Sequence, residues 1–317
     1  MKNSPIKLSV ISPIYGAASL LPELVKRIHD AVCKITDDYE IILVEDNSPD
    51  NSWEIIKQLS DSYTKIVGLS LSRNFGQQSA LNAGFDAATG DWIVTLDCDL
   101  QDEPERILDL YNEGIKGYDI VFASRVNRKD NALKKLGSRL FYKALGYLTD
   151  TDQDHSIGNF VLYKRKVVEA MSSVGDYHRY YPMLNKWIGF NTTILPVQHA
   201  GRMDNVDSSY SFRKRLNLAF TTIIAFSDKP LRLVLRFGVS LVLLSSLAAI
   251  ILIARYFILG VTVSGWLSVF LSIWMLSGII IVILGLIGSY IGKVFNEAKH
   301  RPAYIIKETT HKEKMNV

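Results

Sequence analysis

Short apolar runs alternate with longer stretches of helical periodicity through the first two-thirds of this chain. Leu8 to Ile11 is a strand-length run. Leu20 to Ile35 follows with apolar residues at Leu21, Leu24, Val25, Ile28 and Val32, the spacing of one helix face. The same alternation predicts strands at Glu40 to Val44, Ile66 to Leu71, Trp92 to Leu96, Tyr118 to Ala123 and Phe160 to Tyr163. Helices are expected at Ser52 to Tyr63, Gln77 to Ala88 and Leu133 to Leu148. Strand and helix in turn are the mark of βαβ units around a mostly parallel sheet, an α/β fold.

The last third has a different pattern. From Leu233 to Ile291 the only charged residues are Arg236 and Arg255. Phe237 to Leu259 and Trp266 to Ile291 each exceed the roughly 20 residues needed to cross a hydrocarbon core of about 30 Å. The loop between them carries no charge. Basic residues flank both outer ends: Lys229, Arg232 and Arg236 before, Lys293, Lys299 and Arg301 after. The positive-inside rule then places both flanks, both termini and the polar domain in the cytoplasm. Ser211 to Ile224, with Phe212, Leu216, Leu218, Ala219 and Ile223 among basic residues, suits a helix lying in the membrane interface.

Composition adds limits. The chain has 317 residues and a net charge of +4, which leaves no basic footprint for nucleic acid. Cys33 and Cys98 lie far apart without metal-ligand spacing, as in a reduced compartment. The apolar run at Leu8 stops at Ser12-Pro13, too short for a signal-peptide core.

Candidate chemistry gathers where strands end. Asp97, Asp99 and Gln101 follow Ile93-Val94-Thr95-Leu96, at the carboxyl end of a strand, where open α/β sheets bind ligands. If the extension persists, alternation turns all three one way. Hard oxygens of this kind suit Mg²⁺ or Mn²⁺ completed by substrate phosphates. An EF-hand is excluded because the loop glycine is missing. Glu45-Asp46-Asn47-Ser48-Pro49-Asp50 also follows a buried strand, and a carboxylate there can accept hydrogen bonds from a base edge or a ribose. No G-x-G-x-x-G and no Walker loop occurs.

These segments, with Pro13-Ile14-Tyr15, Ser72-Arg73-Asn74-Phe75-Gly76 and Leu96-Asp97-Cys98-Asp99-Leu100-Gln101-Asp102, resemble in order the motifs of family 2 glycosyltransferases. Ala123-Ser124-Arg125, Ser208-Ser209-Tyr210-Ser211, Phe226-Ser227-Asp228-Lys229-Pro230-Leu231-Arg232 and Lys299-His300-Arg301-Pro302-Ala303-Tyr304 narrow the likeness. They resemble the polyprenyl-phosphate branch, relatives of dolichol-phosphate mannose synthase and bactoprenol glucosyltransferases. The resemblance implies a GT-A catalytic domain over 1–207 and juxtamembrane interfacial helices over 208–232. A two-helix membrane domain over 233–292 and a cytoplasmic tail over 293–317 complete it. It implies Pro13, Tyr15, Glu45, Asp46, Arg73, Gln77 and Asp97 on the nucleotide sugar, and Asp97, Asp99 and Gln101 on the metal. Arg125, Arg139 and Arg202 would hold lipid phosphate or pyrophosphate, with Asp97, Asp99 and Asn159 at the chemistry.

The expected reaction is inverting transfer of a hexose, glucose first, from a UDP-sugar to undecaprenyl phosphate at the bacterial plasma membrane. A modified or N-acetylated sugar on the same lipid, or an inactive membrane scaffold, are the alternatives. Processive synthases are disfavoured because Gln-x-x-Arg-Trp is missing. Two spans make a small footprint, which leaves room for self-association into homo-oligomers. This chain departs from the family pattern at Gly16-Ala17, where Asn-Glu is common, and at Gly158-Asn159-Phe160, where Gly-Asp-Phe is common. His178-Arg179-Tyr180-Tyr181-Pro182 lacks the second arginine often found there, and Arg179 receives no role.

Overall fold

The computed structural model describes residues 6–126, 157–174, 181–198, 227, 229–259 and 265–311. The chain divides into two compact units. One comprises Met1–Arg139, Asp152–Ser209 and Arg301–Val317, the other Leu140–Thr151 and Tyr210–His300.

The first unit is built on one mixed sheet of eight strands among the described residues: β1 Leu8–Ile14, β2 Tyr39–Glu45, β3 Ile66–Leu71, β4 Trp92–Thr95, β5 Ile120–Val126, β6 Ile157–Lys164, β7 Thr192–Gln198 and β8 Ile306–Thr309. Their spatial order is β7-β5-β6-β4-β1-β2-β3-β8. Strands β4, β1, β2 and β3 run parallel, as does the β5–β7 pair, whereas β6 is antiparallel to both neighbours and β8 to β3.

Helices cover both faces. Helices α1 Leu21–Val32, α2 Ser52–Ser62 and α4 Ile107–Gly114 pack on one, α3 Gln77–Ala87, α5 Arg165–Ser173 and α6 Tyr181–Trp187 on the other. Every residue of β1, β2 and β3 is therefore buried, which is why these strands read as continuous apolar runs. Helix α1 buries Leu21, Leu24, Val25, Ile28, Ala31 and Val32, the stripe its sequence predicts. Truncating fully buried Leu24 to alanine costs about 2–5 kcal/mol.

Several boundaries differ from expectation. Strand β1 continues through Ser12-Pro13 to Ile14. Proline is tolerated there because of where the neighbours end. Pairing with β4 stops at Ile11↔Thr95, while pairing with β2 runs on to Ile14↔Glu45. Ile11 and Pro13 face the β4 side, so the missing N–H falls past the last β4 partner. Strand β4 stops at Thr95, one residue early. The segment read as a tail supplies β8, an antiparallel strand on the β3 edge. Leu133 to Leu148, Arg139, Arg202 and Ser211 to Ile224 lie outside the described residues.

In the second unit, α7 spans Lys229–Leu259 and α8 spans Trp266–Ala298. At 1.5 Å per residue they are about 46 and 50 Å long. Within α8, Ser272–Ala298 is long and apolar enough to cross a membrane. Large apolar side chains such as Phe257, Ile258, Trp274 and Val282 are exposed. Two hydroxyls among them are satisfied within their own helix: Ser240 Oγ donates to the Arg236 carbonyl and Ser289 Oγ to that of Gly285, each at 2.9 Å.

Candidate active site

From β1 the chain steps outward to β2 and β3, then returns to place β4 on the other side of β1. That reversal is a topological switch point, where sheets of this kind take ligands beyond the carboxyl ends of the strands, here β1 and β4. Leu96 N–H donates to the Ile11 carbonyl at 3.1 Å, a backbone bond just past the last paired residues of the two strands. Tyr15 and Gly16 leave β1 exposed on one side, and the segment from Asp97 to Asp102 leaves β4 on the other.

Asp97 is gripped by two amides. Gln77 Nε2, at the first position of α3, donates to Asp97 Oδ1 at 2.7 Å, and Asn159 Nδ2 on β6 donates to the same oxygen at 3.2 Å. Asp99 Oδ1 accepts the Gln101 backbone N–H at 3.1 Å. The alternation expected of Asp97, Asp99 and Gln101 does not hold, because extension ends at Thr95 and a turn begins at Cys98. Within that turn Leu100 adopts φ 57°, left-handed backbone that costs a leucine about 1–2 kcal/mol. Its side chain is buried in the α1 face of the core and fixes the turn between Asp99 and Gln101.

The Cys98 thiol is pushed up to about 11, by burial first, with the Tyr15 N–H opposing and the charges of Asp97 and Asp99 adding to the rise. It is therefore a neutral thiol that joins the ends of β4 and β1, not a thiolate ligand.

Asp46, at the end of β2, is 3 % exposed. Its Oδ1 accepts the Phe75 N–H at 2.7 Å and its Oδ2 the Gly76 N–H at 2.8 Å. Burial holds this carboxyl above its ordinary range, although the two N–H groups and Arg73 pull the other way. Gly76 sits at φ 93°, a conformation that suits glycine and lets two successive N–H groups face one carboxylate. Arg73 lies over the Phe75 ring, 4.2 Å from its centroid. Glu45 is buried, accepting from Ser70 Oγ at 2.7 Å and from the Ser48 N–H. Glu45 thus faces inward, as a brace for Asp46 and the following turn.

The structure therefore ties Gln77 and Asn159 to Asp97 and, in the turn that follows, the Gln101 backbone to Asp99, with Asp46 and the 72–76 loop joined to Asp97 through α3. Pro13 is buried and Tyr15 exposed. Arg125 lies near the carboxyl end of β5, on the same sheet edge, opposite Val197 of β7. Two residues given no role by the sequence also matter. Ser48 Oγ accepts the Gly16 N–H at 3.1 Å and Asp50 Oδ2 the Ala18 N–H at 3.0 Å, so the β2 turn holds the β1 turn. Burial opposes ionisation of Asp50, yet bonds from Ser52 and Ala18 outweigh it and hold the carboxyl below its usual range. Asp and Ser after a buried strand are the residues that form such turns, so the signal was present.

No group of three or more His, Cys, Asp or Glu side chains converges among the described residues. The protein thus offers two carboxylates beyond the end of β4, too few for a closed structural metal site. That donor set fits a hard divalent cation held jointly with phosphate oxygens. The amides of Gln77 and Asn159 would orient the Asp97 carboxylate for it.

Comparison with known proteins agrees with this fold. A Bacillus subtilis protein described as an uncharacterized glycosyltransferase is 34% identical over 305 residues, covering 96% of this chain and 94% of that one. The undecaprenyl-phosphate 4-deoxy-4-formamido-L-arabinose transferase of Yersinia pestis is 35% identical over 310 residues, covering 96% and 94%. Among solved structures, a Pyrobaculum calidifontis mannosyltransferase with GDP-Man and Mn²⁺ superposes with TM-score 0.50 at 18% identity, over 73% of this chain and 65% of that one. Glucosyl-3-phosphoglycerate synthase of Mycobacterium tuberculosis, with Mn²⁺, UDP-glucose and phosphoglyceric acid, gives 0.51 at 13%, over 69% and 78%. These two share the GT-A fold seen here. Residues 9–172 match the family described as Glycosyl transferase family 2, and the chain belongs to that family.

Proposed function

We propose that the protein transfers a hexose, glucose first, from a UDP-sugar to undecaprenyl phosphate at the cytoplasmic face of a bacterial plasma membrane, with inversion. The observation that carries the reading is Asp97 held between Gln77 and Asn159 beside Asp99, at the switch point of a GT-A sheet. The chain's own course supports the membrane side. It leaves the first unit before Tyr210, runs through α7 and α8, and re-enters that unit at Arg301. Two crossings, over about 237–259 and 266–291, return it to the side it left.

In this reading Asp46, with Pro13, Tyr15 and Arg73 nearby, receives the nucleoside. Asp97, Asp99 and Gln101 would hold Mg²⁺ or Mn²⁺, which when bound supplies positive charge against the departing pyrophosphate. A lipid phosphate oxygen forms the new bond to the anomeric carbon as the bond to UDP breaks. A phosphate monoester with a second pKa of about 6 is already ionised at neutral pH, so no strong base is required. Asn159 fits that economy: its amide positions Asp97 and takes no proton. Arg125, Arg139 and Arg202 would bring the two anions together, since a guanidinium matches phosphate oxygens bidentately.

A second reading is favoured by the similarity to the formamido-arabinose transferase: the same lipid acceptor with a modified aminopentose donor. One assay separates them. The purified protein is incubated with undecaprenyl phosphate, Mn²⁺ and labelled UDP-glucose, other UDP- and GDP-hexoses, or UDP-4-deoxy-4-formamido-L-arabinose. Label in the lipid phase from a UDP-hexose supports the first reading. Label from the formamido sugar alone replaces it with the second, and label from none with folded protein contradicts both.

A further inference from the structure

The chain that follows α8 re-enters the first unit along the β3 edge, and its contacts converge on one loop. The Ile305 carbonyl accepts the Ser72 N–H at 2.9 Å, at the foot of the 72–76 loop. Tyr304 OH donates to Asp86 Oδ2 on α3 at 2.8 Å, and its ring packs in the core layer that also holds Phe75. Further along, Trp53 Nε1 donates to Glu308 Oε2 and Gly68 N–H to Thr310 Oγ1, each at 2.9 Å. Strand β8 pairs Leu71 with Ile306 and Leu69 with Thr309.

Capping an apolar edge strand is itself useful, because an open β3 edge invites pairing between chains. The Ser72 bond is the next rung of that ladder and carries it to the foot of the 72–76 loop, but edge protection alone does not call for the side-chain bond from Tyr304 to Asp86 on α3. Ser72 begins the loop whose Phe75 and Gly76 N–H groups hold Asp46, and α3 begins with the Gln77 that holds Asp97. The C-terminal segment thus grips this unit at the start of its loop and near the end of its helix. Both ends of the lever that sets Asp46 and Asp97 are fixed by residues more than two hundred positions downstream.

We propose that Tyr304–His311 is a positioning clasp for the donor pocket: by holding Ser72 and Asp86 it sets the 72–77 segment, and through it the nucleotide-binding geometry of Asp46 and Asp97. The proposal rests on the reading of that pocket as the nucleotide-sugar site. The clasp touches no substrate. Its effect is on donor affinity, with the chemical step changed little once donor is saturating.

The test is calorimetric titration of UDP with Mn²⁺ into the detergent-solubilised protein. The wild type is compared with a chain ending at Ala303, Tyr304→Phe and Asp46→Ala, each checked for a cooperative melt. The shortened chain is expected to bind UDP about tenfold or more weakly, and Tyr304→Phe about threefold more weakly. A synthetic peptide of residues 304–311 added in trans is expected to return the shortened chain to within about twofold of wild type by strand addition. In the transfer assay the shortened chain and Tyr304→Phe raise the donor KM and leave kcat within about twofold. Wild-type affinity in a folded shortened chain, or in Tyr304→Phe should the shortened chain not fold, reduces β8 to an edge cover and overturns the proposal. Asp46→Ala keeps the two ideas apart. Its loss of UDP binding while the clasp variants bind normally sinks only the clasp; its binding UDP like wild type sinks the pocket reading itself.

Discussion

The two ends of the same parallel strands carry buried carboxylates put to opposite uses. At the amino-terminal end, Glu40 Oε1 accepts from Ser9 Oγ at 2.7 Å, Thr89 N–H at 2.6 Å and Thr89 Oγ1 at 2.7 Å. Ser9 Oγ in turn accepts the Gly90 N–H at 2.8 Å. Gly90 comes so close that a Cβ there would lie 2.6 Å from the Ser9 nitrogen. These bonds tie the starts of β1 and β2 to the turn before β4. At the carboxyl end, Asp46 is held by loop N–H groups and Asp97 by side-chain amides, while Asp97, Asp99 and Gln101 stay half-exposed. One end spends its hydrogen bonds on holding strands together; the other uses them to fix the 72–76 loop on buried Asp46 and to hold Asp97 half-exposed.

The largest effect that would test this contrast is at Asp99. Asp99→Ala is expected to lower kcat for lipid glycosylation by about a thousandfold or more while urea denaturation stays within about 0.5 kcal/mol of wild type. The converse is Glu40→Gln, which keeps an oxygen for the Ser9 and Thr89 donors but loses the charge that strengthens all three bonds. It is expected to cost about 2–3 kcal/mol in the same denaturation, with the donor KM unchanged. If Glu40→Gln moved KM and spared stability, the division between the ends would fail.

Smaller changes sharpen it. Gln77→Ala frees Asp97 from one of its two amides and is expected to lower kcat/KM about tenfold, measured at fixed Mn²⁺. The smallest effect is a pH slope. Because burial holds Asp46 above the ordinary carboxylate range, the folded protein retains its proton where the unfolded chain has lost it. Asp46 therefore subtracts stability as pH rises from about 4 through its raised folded value, and Asp46→Asn should flatten that part of the denaturation profile. An unchanged slope would mean that Asp46 titrates like an exposed aspartate.

Much of this was legible in the sequence for a physical reason. Strands β1 to β3 are buried on both faces, so their apolar runs stand out, and α1 shows its buried stripe directly. The edge strands do not: β7, Thr-Thr-Ile-Leu-Pro-Val-Gln, and β8, Ile-Lys-Glu-Thr, have one partner each and alternate weakly with solvent. The carboxylates at Asp46, Asp97 and Asp99 could be picked from their places after strands. Their aim could not, because it depends on a turn at Leu100 with positive φ and on amides from α3 and β6. The bond from Ser72 to Ile305 joins two segments that share no local signal.

The most direct measurement is titration of UDP into wild type, Asp99→Ala and Glu40→Gln, with Mn²⁺ and with chelator. Wild type and Glu40→Gln are expected to bind tightly only with Mn²⁺, and Asp99→Ala to bind weakly whether or not metal is present. Binding that ignores Mn²⁺ in the wild type, or survives unchanged in Asp99→Ala, would contradict the carboxyl end as a metal-assisted donor site.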